Sequence, residues 1–213
     1  MFGLTPDILM ARLMVVLICI PIHEWAHGWV AHLLGDTTPE QEGRLSLNPI
    51  THLDPIGTLM ILLMDFGWGR AARVNPYRMH RVKNPRVGMA LSALAGPLSN
   101  FLLAVVLALP LRFGWLSALP PDAAEAAGAV LIYAVVINIG LVAFNLLPIP
   151  PLDGSRILAG VAPPKVGDFL ESLEPVAPYI LLLVLFVLPQ LGLNLVSWMA
   201  GSLSQFLYRV LLW

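Results

Sequence analysis

The sequence predicts an all-α polytopic membrane protein, with about four to six transmembrane helices and one re-entrant loop or β-hairpin. Three observations carry this. The 213-residue chain is 58% hydrophobic and 12% charged, with a mean hydropathy of +0.80, whereas a soluble domain has roughly 25% charged residues. Four apolar segments, about 7–34, 87–111, 126–147 and 176–213, reach the ~20 residues that a spanning helix needs. A fifth, Pro55–Met64, has only ten residues; as a helix it would cover roughly 15 Å, half of a ~30 Å hydrocarbon core.

Each element follows in order. The first apolar run starts near Ile8 and continues into IPIHEWAHGWVAHLLGD, Ile20–Asp36. It has no basic start and no small-residue cleavage site, so a permanent helix is expected rather than a signal peptide. The fifth segment opens with Pro, Gly and Thr after Asp54 and is followed by DFGWGR. That predicts an embedded loop or β-hairpin over about 48–68, which membrane depth tolerates only where protein or a cavity shields the backbone. Gly67–Arg86 carries six cations and no acid, and the positive-inside rule places it in the cytoplasm.

In the second span, Gly88, Ser92, Gly96 and Asn100 recur every four residues, a small-residue seam for close helix packing. Asn138 in the third span reads as an interhelical hydrogen bond. The segment 176–213 is interrupted by Pro189, Gly192 and Asn194; it is one span with an interfacial tail, or a hairpin. The chain as a whole, 1–213, reads as a single transmembrane domain. Its lone cysteine, Cys19, excludes an intramolecular disulfide and any multi-cysteine metal site. A net charge of −1 offers nucleic acid no electrostatic footing.

Ionisable groups at membrane depth are costly and usually functional, which singles out HEWAH, His23–His27. Four residues advance a helix by ~400°, so the two imidazoles stack on one face. Glu24 is offset by ~100°, within reach of a metal-bound water without taking a coordination position. The pattern supplies two metal ligands and a general base. His32 lies on the opposite face and reads as an interfacial histidine. A tetrahedral site with one open position needs a third protein ligand. The residues alone leave His52, His80 and Asp153 as candidates. His52 could also support a ligand, bind substrate or cap the loop. Asn100, at the end of its seam, is placed to hydrogen-bond near the site. Trp25, Trp29 and Trp68 fit interface anchors.

Three motifs in order make the chain resemble the site-2 protease family of intramembrane zinc metalloproteases: HEWAH, AGPLSN (Ala95–Asn100) and NLLPIPPLDG (Asn145–Gly154). The segment GRLSLNPITHLDPIGTL, Gly43–Leu59, is similar to the small bacterial branch of that family. The resemblance covers about 20–158. It implies one zinc ion per chain on His23, His27 and Asp153, with Glu24 as general base and Asn145 contacting substrate or the oxyanion. It also favours Gly57–Met64, including Gly57 and Thr58, as an extended segment that pairs with an unwound substrate helix; His52 and Asn100 are further candidates for substrate binding on their own position in the sequence. The expected partners are transmembrane protein substrates and the lipid bilayer, and the expected location is a bacterial inner membrane. No PDZ-like or nucleotide-binding domain is expected. For the ligands to share one depth, the first helix must end on the cytoplasmic side, the 35–84 stretch must not cross, and the short N-terminus must lie outside. A metal or proton transporter is the competing reading, and a non-catalytic scaffold for membrane helices is another.

Overall fold

The computed structural model describes residues 5–64 and 67–212. Asp65 and Phe66, within the predicted embedded segment, lie outside the described residues. Helix α1, Pro6–Met14, runs through a π-helical turn, Val15–Cys19, into α2, Ile20–Leu33. The wide turn sits just upstream of Pro21, whose ring removes a backbone donor and crowds the preceding turn. The combined helix is one of four that, among the described residues, are long and apolar enough to cross a membrane, at Ile8–Leu33, Pro85–Arg112, Pro121–Asn145 and Pro164–Gln190.

Between the first and second candidate spans no described helix is long enough to cross a membrane. Two short helices, α3 (Thr38–Gln41) and α4 (Pro49–His52), lead to α5, Pro55–Met64. The basic segment then returns to the end of α2: Arg81 donates from its backbone N–H to the Leu34 carbonyl at 3.1 Å and from its guanidinium to the Leu33 carbonyl at 2.8 Å. Asp36, fully buried, accepts from the backbone N–H of Thr38 at 2.9 Å and of Asn75 at 2.6 Å.

The embedded segment corrects one expectation. It is not a β-hairpin, and Gly57–Met64 is not extended: α5 is helical, and the described backbone around it makes one antiparallel bridge, Leu53 to Gly69. The Pro and Gly that read as breakers are start signals. Asp54 Oδ1 accepts from the N–H groups of Ile56 and Gly57 at 3.0 and 2.8 Å, and Pro55 occupies a position whose missing N–H costs nothing. At the other end, the buried Arg12 donates to the Leu62 carbonyl at 2.7 Å. A short helix inside a membrane needs such a donor, because no water satisfies its last carbonyls.

Helix α6, Pro85–Arg112, is the centre, packed against α2, α7 (Pro121–Asn145) and α8 (Asp153–Val161). One apolar core gathers Val15, Val16, Cys19, Ile20 and Ile61, and a second Ala104, Ala108, Val135, Ile139 and Leu211. The fourth candidate span begins earlier than expected. It comprises α9 (Pro164–Ser172), α10 (Ala177–Leu182), a π-helical turn at Leu183–Val187 and α11 (Leu188–Gln190). Gly192, at φ +80°, separates this span from α12, Leu195–Leu212, a left-handed conformation that favours glycine.

Candidate metal centre

His23 and His27 stack on the buried face of α2, as their spacing predicts. Asp153 arrives from the N-terminus of α8, after a turn that lets the chain double back from α7. His23 Nε2 and His27 Nε2 are 3.0 Å apart, and each is 3.4 Å from Asp153 Oδ2. Tetrahedral zinc with nitrogen and oxygen ligands at ~2.0–2.2 Å has ligand–ligand edges of roughly 3.3–3.5 Å. The triangle therefore has the size of three corners of a zinc site, and its three residues are buried together.

The other side of each ring fixes its tautomer. His23 Nδ1–H donates to Asn100 Oδ1 at 2.5 Å, and His27 Nδ1–H donates to the Ser92 carbonyl at 2.8 Å. Neither acceptor carries a proton, so in the neutral rings both Nε2 atoms turn lone pairs toward each other. Asp153 Oδ2 joins them, buried and without a hydrogen-bond donor. Three acceptors converging in a buried space repel unless a cation lies between them, so the residues fit the metal on chemistry as well as on distance.

The support continues inward. Asn100 Nδ2 donates to Asn138 Oδ1 at 3.0 Å, and Asn138 Nδ2 donates to Cys19 Sγ at 3.1 Å and the Ala134 carbonyl at 2.8 Å. Both asparagines are fully buried. Ser92 Oγ also donates to the His27 carbonyl at 2.9 Å. Gly96 makes room for the pair, because a Cβ there would overlap His27 Cε1 and Nε2 and crowd His23 Cε1. The small-residue seam is thus a cradle for the imidazoles as well as a packing face.

The site opens into a cavity of about 560 Å³. Glu24 lines it beside the histidines, and its Oε2 accepts from the Ala72 backbone N–H at 3.0 Å. Ala72 belongs to an extended stretch, 67–74, of which Gly67, Trp68, Gly69, Ala71, Ala72 and Val74 form one wall. Asn145 lines the cavity too, with Nδ2 donating to the Leu141 carbonyl at 3.0 Å and its second N–H left for another acceptor. Pro178, Leu181, Leu182, Leu185 and Phe186 close the far side.

The remaining predicted residues lie elsewhere. Gly57 is buried against the returning chain, where a Cβ would overlap the Trp68 carbonyl, and neither it nor Thr58 lines the cavity. His52 is fully buried, with Nε2 2.6 Å from the Ser46 carbonyl, so it ties its own loop together. Asn100 sits beneath His23 rather than at the cavity surface. His32 pairs with Glu40 at 3.6 Å, and exposed His80 lies under Gly35. Sequence reasoning missed the Ala72 contact to Glu24 and the Ser92 carbonyl on His27. Backbone groups leave no residue-type signal.

A two-histidine, one-carboxylate site with an adjoining glutamate, set among membrane-length helices, defines a metal-dependent hydrolase of the membrane. Residues 117–188 match the model of peptidase family M50. The chain is 41% identical over 187 residues to YwhC of Bacillus subtilis, a candidate zinc metalloprotease by name, covering 86% of this chain and 84% of that one. It is 29% identical over 192 residues to Rip2 of Mycolicibacterium smegmatis, which carries the same description, covering 85% and 70% of the two chains. No solved structure gives a significant match. The chain belongs to peptidase family M50.

Proposed function

We propose that this protein is a zinc-dependent endopeptidase that hydrolyses peptide bonds in or near transmembrane helices of other proteins, and that 1–213 acts as one unit. The observation that carries it is the triangle of His23, His27 and Asp153 beside Glu24 in one cavity. These three residues would hold the ion. Bound there, zinc supplies Lewis acidity and an attacking water that ionises near neutral pH. Glu24, aimed by the Ala72 N–H, takes the proton from that water and passes it to the leaving nitrogen. The free N–H of Asn145 faces the developing oxyanion. Asn100 positions His23 and does not touch substrate.

A substrate helix must unwind to expose its carbonyls. The extended stretch 67–74 replaces Gly57–Met64 as the segment beside which an unwound chain lies, because it is the one without a helix and the one that lines the cavity. The six cations of 67–86 orient this end of the bundle to the cytoplasm of a bacterial inner membrane. Cysteine-accessibility mapping should place Glu40 inside; Glu40 labelled from outside reverses the topology.

The deciding experiment is elemental analysis of detergent-purified protein beside a cleavage assay. Wild type should carry one zinc, Asp153→Ala should lose it, and Glu24→Gln should keep zinc and lose cleavage. Metal transport surviving in Glu24→Gln would favour a transporter.

A further inference from the structure

A second concavity lies behind the cavity wall, lined by Glu42, Arg44, Thr51, Arg70, Ala71 and Arg73. Three arginines share it with one carboxylate. Arg44 is only 6% exposed and its guanidinium donates to the Thr51 carbonyl, yet its buried Nε–H has no partner. Glu42 reaches Arg73 at 3.5 Å, and among the described residues the exposed Arg70 has no carboxylate within ion-pair distance. Burial first, and then the charge of Arg70, hold the Arg44 guanidinium below its ordinary basicity. The excess of like charge in one hollow is relieved by one anion with several acceptor oxygens, which the exposed guanidinium groups of Arg70 and Arg73 can reach.

The surroundings say which anion. Leu47, Ile50, Ile56 and Leu59 are exposed on the α4–α5 side of the same loop, Ile50 at 79%. Apolar side chains turned outward beside a cationic hollow mark the level where acyl chains meet headgroups. We propose that Arg44, Arg70 and Arg73 form a binding site for a phosphate monoanion, as carried by an anionic phospholipid headgroup. The site is coupled to the metal centre by position. Ala71 lines both hollows, and its neighbour Ala72 holds Glu24. An occupied site steadies the 70–73 segment from behind.

The test uses the full chain in phosphatidylcholine nanodiscs doped with phosphatidylglycerol, with lipid retention read by native mass spectrometry and compared for wild type, Arg70→Gln/Arg73→Gln, and Arg78→Gln/Lys83→Gln. The last removes equal charge outside the hollow. Wild type should retain phosphatidylglycerol in preference to phosphatidylcholine. The Arg70/Arg73 variant should lose that preference by about thirtyfold, from the usual value of two arginines near an anionic surface, and the control by several-fold less. Arg44→Lys, which keeps the charge and removes the planar guanidinium, should also weaken retention. Equal losses in the two double variants, or no preference in wild type, overturn the proposal. Inorganic phosphate added to undoped nanodiscs separates the sources: protection of the wild type against thermal unfolding by phosphate alone assigns the site to a soluble phosphate, and protection only with phosphatidylglycerol assigns it to the lipid.

Discussion

On one side of the metal cavity, α2 and α6 hold the imidazoles through Asn100, Asn138, Ser92 and Gly96, with nearly every polar group partnered inside protein. On the other, 67–74 and the 178–186 stretch of the fourth span present backbone and apolar side chains, many of them exposed. The contrast extends to whole spans: 44% of the most apolar window is buried in the first span and 11% in the fourth. On the proposed function, the difference follows from two tasks. Ligand geometry must be held to fractions of an ångström, which needs packed and hydrogen-bonded neighbours. A wall that admits a membrane helix must instead leave apolar surface for its partner or for lipid.

The sharpest break of this contrast is Asp153→Ala. It removes one corner of the triangle and should abolish both zinc retention and cleavage, checked by elemental analysis on well-folded protein. Glu24→Gln comes next. Zinc should stay, while cleavage of a transmembrane substrate falls ~10²–10⁴-fold, the range for a general acid–base; unchanged turnover would remove Glu24 from the chemistry. Asn145→Ala should cost ~10²–10³ in kcat with zinc intact, if its N–H meets the oxyanion, and a change confined to KM would assign it to substrate binding alone.

Asn100→Ala belongs to the rigid wall and should weaken zinc roughly 10–100-fold in a chelator competition, as loss of a ligand's hydrogen-bond partner does. Added zinc should restore much of its activity, a rescue that simple misfolding would not show. The smallest effect is expected from the loose wall. Leu182→Ala and Phe186→Ala, both largely exposed, should leave zinc content unchanged and stability within about 0.5 kcal/mol, while shifting KM for membrane substrates. Zinc loss in either variant would mean that the two walls are not separable.

Much of this was legible beforehand because the signals are local. The spans follow from apolar length, and His23, Glu24 and His27 from a helical repeat. The fifth segment is too short to be a candidate span, as its ten residues imply, but it is a helix and not a loop or hairpin. Asp54 and Pro55 are a helix start, and the donor to one of the helix's last carbonyls, Arg12, comes from 50 residues away. Asn100, expected to hydrogen-bond near the site, accepts from His23, while His52 is buried against the Ser46 carbonyl and does not line the cavity; which buried polar residue meets the site depends on partners distant in sequence.

The sequence by itself determined that this is a helical membrane protein with two imidazoles and a glutamate on one helical turn, because composition and a 3.6-residue period act within a single element. Only the tertiary structure decided which of His52, His80 and Asp153 joins them. The residue that does so lies 126 positions beyond His27, and neither its depth nor its direction is set until α7 turns back on α6. It also decided that the wall facing Glu24 is 67–74 rather than Gly57–Met64. That choice rests on backbone hydrogen bonds between segments, which every residue type can make and which no residue type announces.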